Sequence, residues 1–172
     1  MDTAPFRMRL SATPAALSAL LAGLSDADAR WQPADGGWSI VEILGHLSDE
    51  DELDFGARLR LLLETPRAAW PDIDPETTVQ QRGHVKRKLA EQLAAFAAQR
   101  KQSLEWLAAY SAVEDRPVHE HPALGRLSPA DLLANWTAHD LLHTRQLATR
   151  LWQLVERDAG GRHLDYAGDA PT

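Results

Sequence analysis

The chain has 172 residues, 44% hydrophobic and 25% charged, a balance that lets one globular core form and excludes the disordered class. Its net charge of -7 argues against a nucleic-acid binder, which needs clustered Lys and Arg to neutralise phosphates. It has no cysteine, which excludes disulfides, thiolate metal ligands and an internal sulfur nucleophile, so any metal must be held by histidine or carboxylate.

Residues 6–29, FRMRLSATPAALSALLAGLSDADA, have two arginines, an apolar stretch and an A-x-A, the outline of a targeting peptide. Pro14, Ser18 and Asp26 interrupt the run, however, and Leu17, Leu20, Leu21 and Leu24 recur at helical spacing. The segment therefore reads as a first helix with Thr13 as N-cap and Pro14 at its first position, ending near Ser25. No apolar run approaches the eighteen or so residues that span a bilayer, so no membrane association and a cytoplasmic location are expected.

WQPADGGW, residues 31–38, is a turn, and Ser39-x-x-Glu42 is a capping box that opens a second helix. Ile43, Leu44, Leu47, Leu53 and Leu61 keep its rhythm to about Glu64, where Thr65-Pro66 ends it. The segment 65–76, with three prolines and no period, predicts a surface connection that carries the chain across the molecule. A third helix is expected from roughly Thr78 to Tyr110, on the stripe Val85, Leu89, Leu93, Phe96, Leu104 and Leu107, with Gly83 weakening its start. EDRPVHEHPALGR reads as loop, after which Ser128-Pro129-x-Asp131 starts a fourth helix that continues to about Arg157. Gly160-Gly161 and the polar residues beyond predict a loose tail over about 160–172. Four amphipathic helices without a strand signal imply an all-α four-helix bundle, one domain over 1–172.

The fourth helix carries the chemistry. Leu132, Trp136, His139, His143 and Leu147 share one face, so two imidazoles four residues apart point inward with the core. Such a pair suits a divalent cation at roughly 2.0 to 2.1 Å from each nitrogen. His46, midway along the second helix between Leu44 and Leu47, can supply a third neutral imidazole from a facing helix, leaving coordination positions for water or substrate. Glu50, at i+4 from His46, and Asp49, at i+3, are candidates to orient that imidazole or carry a proton, with Glu50 favoured as the catalytic group. His84, His119, His121 and His163 are expected to be solvated, with His121 able to line a pocket mouth. Arg100, on the apolar stripe of the third helix, predicts a buried ion pair with a carboxylate. The residues alone leave three readings open: a metal-dependent enzyme, a non-catalytic metal staple between helices, and a metal-free cluster satisfied by carboxylates such as Glu50.

GGWSIVEILGHLSDEDE, followed some ninety residues later by HPALGRLSPADLLANWTAHDLLHTRQL, resembles the DinB superfamily over nearly the whole chain. The resemblance implies an up-down-down-up bundle with a long crossover after the second helix, and a homodimer. It also implies a divalent metal on His46, His139 and His143, and imidazole ligands suit Zn, Ni and Fe alike. The implied activity is that of a thiol S-transferase using an external low-molecular-weight thiol such as bacillithiol or mycothiol, acting on a small-molecule substrate. The alternatives are a hydrolase in which the metal activates water and a non-catalytic stress-response module.

Overall fold

The computed structural model describes residues 1–34 and 36–171; Asp35 in the predicted turn and Thr172 in the predicted tail lie outside them. The first helix, α1 (Ala4–Leu20), begins ten residues before the expected Pro14 start, with Pro5 in its first turn and Pro14 inside it. The early start has a tertiary cause. Thr3 is buried, and its backbone N–H and hydroxyl donate to the Ser111 and Tyr110 carbonyls at 3.0 and 2.6 Å, anchoring the helix entry against a segment more than a hundred residues along the chain. Pro14 lacks the N–H that would bond the Leu10 carbonyl one turn earlier, and the Nη1 of Arg100 donates to that carbonyl instead, at 3.0 Å.

A short helix α2 (Asp26–Ala29) precedes the turn. The expected second helix is present but broken. α3 (Ile40–Leu53) starts at the predicted capping box, where the Ser39 N–H and hydroxyl donate to the Glu42 carboxylate at 2.8 and 2.6 Å. Asp54, at φ -111 and ψ -96, then leaves helical geometry, and α4 (Phe55–Glu64) continues the element. The expected third helix is also divided: α5 (Pro75–Arg82) ends on Gly83 in the left-handed conformation (φ 63, ψ 36), a 3-10 turn spans His84–Lys86, and α6 (Leu89–Leu107) follows. The loop before the last helix contains strands the sequence reading missed. β1 (His119–His121) and β2 (Gly125–Leu127) form an antiparallel hairpin with His119 opposite Leu127, too short for alternation to register. The last helix, α7 (Pro129–Ala159), starts as predicted: Ser128 Oγ accepts from the Asp131 N–H, the Asp131 carboxylate accepts from the Ser128 N–H, and Gly160 closes the helix. Beyond it lies a 3-10 turn, Asp165–Ala167, and the Pro171 carbonyl accepts from the Thr149 hydroxyl at 3.1 Å.

Two apolar clusters define the helix directions. One gathers Leu17 and Leu21 of the α1 end, Ile40 to Leu47 of α3, Leu89 and Phe96 of α6, and Leu147 and Leu154 late in α7. The other gathers Leu10, Leu59 and Leu62, Leu107, and Leu132 to Trp136 early in α7. Thus α1 and α7 run one way while α3–α4 and α6 run the other, the up-down-down-up order, and residues 65–88 cross the length of the bundle. Both α1 and α3 pack against α6 and α7. Between the clusters, Arg100 (1% exposed) donates all five of its N–H groups: four to Asp51 and Asp140 in two bidentate pairs that share Nη2, at 2.6–2.9 Å, and one from Nη1 to the Leu10 carbonyl. The expected ion pair is therefore a clamp that ties α1, α3, α6 and α7 together. Among the described residues, no helix is long and apolar enough to cross a membrane.

Candidate metal centre

Helical spacing on α7 and the facing position on α3 bring the three predicted histidines together. One ring nitrogen from each of His46, His139 and His143 lies within 4.8 Å of the others. The ring centroids are 5.2 Å apart for His46 and His139, 4.7 Å for His46 and His143, and 4.3 Å for His139 and His143. A tetrahedral ion with imidazole bonds near 2.0–2.1 Å holds its nitrogens about 3.3 Å apart, so small rotations of the rings suffice to close this set.

The protonation pattern also suits a cation. His143 Nδ1 faces Gln146 Oε1 at 2.7 Å, which assigns its hydrogen to Nδ1 and leaves the Nε2 lone pair turned toward His139 Nε2, 3.0 Å away. If His139 donates there, its Nδ1 becomes a lone pair buried with no partner; if it does not, two lone pairs face each other. A cation between the two Nε2 atoms removes that conflict. Burial, reinforced by the neighbouring imidazoles His143, His139 and His84, pushes His46 down to about 2. Burial, then the charge of His143, pushes His139 down to about 4, and burial also lowers His143. The trio therefore stays neutral, the form in which imidazole binds metal.

Trp38 and Phe55 wall the site, their rings 4.8 Å from His46 and 5.1 Å from His139. Glu50 (6% exposed) places Oε1 3.5 Å from His46 Nδ1, and burial, together with the nearby Asp54 charge, raises its carboxyl to about 8. Asp49, the other candidate, is occupied elsewhere. Its carboxylate takes Arg82 Nη1 and His84 Nε2, each at 2.8 Å.

That pairing corrects the expectation for His84, which is buried rather than solvated. Gln92 Nε2 donates to its Nδ1 at 3.0 Å and to the Val41 carbonyl at 2.9 Å, while its Nε2 serves Asp49. The ring lies so close to Gly45 that a Cβ there would collide with it. His84 thus packs beneath the backbone next to His46. Two signals were available for this support: a glycine inside a helix beside a candidate ligand, and Gln92 on the apolar stripe between Leu89 and Phe96. His163 is exposed, as expected, whereas His119 and His121 are partly buried rather than solvated, because His119 stacks on Trp70 at 3.7 Å and both lie in the β1 strand of the hairpin.

The comparisons with known proteins agree with this architecture. A solved structure described as "YfiT from Bacillus subtilis is a probable metal-dependent hydrolase with an unusual four-helix bundle topology" is similar with a TM-score of 0.73 and 17% sequence identity, over 90% of this chain and 86% of that one. At that identity the likeness shows the fold. No curated protein matches by sequence. Residues 9–147, which include all three histidines, match the model of the DinB superfamily, and the chain belongs to that family.

Proposed function

We propose that the chain is a divalent-metal-dependent enzyme that activates a small nucleophile at His46, His139 and His143, with hydrolysis as its reaction. The observation that carries this reading is the convergence of three neutral, largely buried ring nitrogens from two helices within 4.8 Å, beside a buried carboxyl group. A bound Zn, Ni or Fe ion would supply Lewis acidity, lowering the pKa of a water molecule or polarising a carbonyl. The protein contributes the rest. Gln146 orients the His143 ring, Trp38 and Phe55 limit solvent around the imidazoles, and Glu50, once the charge of a bound cation favours its ionised form, is placed to take a proton from the nucleophile and return it to a leaving group. The similar structure's description as a probable metal-dependent hydrolase supports the same reading.

A thiol S-transferase would use the same centre, and the absence of cysteine requires its thiol, of the bacillithiol or mycothiol kind, to come from outside. A single-domain chain with a cytoplasmic location completes the proposal, with the homodimer coming from the family resemblance. The experiment is metal analysis of untagged protein followed by a screen of esters and amides, with and without added thiols. Bound metal with thiol-independent ester or amide turnover supports hydrolysis, and turnover only with thiol supports transfer. Less than one-tenth equivalent of metal, unrecovered on adding zinc or nickel, overturns both.

A further inference from the structure

Next to the metal centre lies a cavity of about 390 Å³, lined by Asp54, Phe55, Arg58, His121, Leu124, Leu127, Leu132 and Asn135. It continues the seam that holds the histidines. His46, Glu50, Asp54 and Arg58 follow at intervals of four along α3 and α4, and His143, His139 and Asn135 descend α7 at the same interval. Phe55 touches the His139 ring and also lines the cavity. The hairpin forms the outer wall, with Leu124 at its tip 69% exposed.

The polar groups of this cavity are specific. Asp54 and Arg58 neutralise each other at 3.0 Å, so the cavity holds no net charge from that pair. His121 Nδ1 accepts from the Ala123 and Leu124 N–H groups at 3.2 and 3.1 Å, which puts its hydrogen on Nε2, a donor with no acceptor among the described residues. Asn135, exposed at the cavity mouth, donates through Nδ2 to the Asp131 carbonyl at 2.9 Å, which leaves its Oδ1 facing solvent as an acceptor a ligand can reach. One unused donor and one unused acceptor, surrounded by Phe55, Leu124, Leu127 and Leu132, match the carbonyl and N–H of an uncharged amide carrying an apolar group.

We infer that this cavity is the specificity pocket of the enzyme, and that it selects neutral substrates with a medium-sized hydrophobic group next to an amide. This rests on the metal-dependent reading above for the position of the reacting group. The test uses hydroxamates, which bind a metal through their own oxygens, measured by calorimetry on the nickel- or zinc-loaded full chain. Each buried methylene is worth about fourfold in affinity, so hexanohydroxamate should bind at least about 30-fold tighter than acetohydroxamate. Leu127→Trp, which fills the cavity, should collapse that ratio to near one. N-acetyl-leucine amide, which has no metal-binding group, should shift the methyl NMR signals of Leu124, Leu127 and Leu132 with or without metal, and Asn135→Leu should weaken this about tenfold. Equal affinity for the two hydroxamates on metal-loaded protein, or methyl signals unmoved by N-acetyl-leucine amide, overturns the pocket. Failure of acetohydroxamate to bind metal-loaded protein overturns the open coordination position instead, whatever the methyl signals show.

Discussion

The ring of His84 occupies the space that a side chain at position 45 would need, so Gly45 and His84 form one packing unit beneath His46. Gly45→Ala should therefore act as an overpacking change, costing about 1–3 kcal/mol by urea denaturation. It should also weaken zinc or nickel binding measured by competition with a chelator, because the displaced backbone carries His46. An alanine that left both unchanged would show that the site tolerates movement of α3.

Arg100 gives a second prediction. Arg100→Leu leaves the carboxylates of Asp51 and Asp140 buried without their cation, and removal of one member of such a network costs about 3–5 kcal/mol. Thermal unfolding should show this loss in metal-free as well as metal-loaded protein, since the clamp lies behind the site rather than in it.

The ligand set is tested by three variants. His143→Ala and His139→Ala should each lose most bound metal in elemental analysis, because two imidazoles hold a divalent ion poorly. Gln146→Ala keeps all three ligands but frees the His143 ring, and should weaken binding about 10- to 100-fold. Full retention by His143→Ala would remove that residue from the set.

The pH dependence of the metal-free protein follows from groups shifted in opposite directions. The histidines titrate lower in the folded chain, from 6.5 to about 2 for His46 and to about 4 for His139, so the unfolded chain binds more protons below pH 6.5. Stability is then present above that pH and falls as acid is added. Glu50 is raised from 4.5 to about 8, so its contribution is present below pH 4.5 and is lost as pH rises toward 8. Two histidines outweigh one carboxyl below pH 6.5, which places the maximum near that value. From pH 6.5 to 8, the unfolding free energy from urea titrations should decline by about 1 kcal/mol per pH unit, and Glu50→Gln should flatten this limb alone.

Much of this was legible in the sequence, for identifiable reasons. The capping box at Ser39 and Glu42, the Ser128-Pro129 start and the i, i+4 histidines are local signals, and local geometry decided them. The start of α1 differs from the local signal at Pro14 because Thr3 anchors on Tyr110 and Ser111 and Arg100 donates to the Leu10 carbonyl that Pro14 leaves unbonded, partners too far along the chain for any window to reveal. His84 was misjudged for the same reason, since its burial depends on Gly45, Asp49 and Gln92, which come together only in the folded bundle. The break at Asp54 and the hairpin at His119–Leu127 have weak local signals, being set by packing against α7 and the connection at Trp70.

The up-down-down-up order also has a consequence for biogenesis. His46 emerges early in synthesis, whereas its two partners lie beyond the crossover, α6 and the hairpin, so a nascent chain has only one of the three clustered imidazoles until α7 leaves the ribosome. A metal captured by the finished site is therefore also a lock on the last helix, engaged only after the rest of the bundle has a surface to receive it.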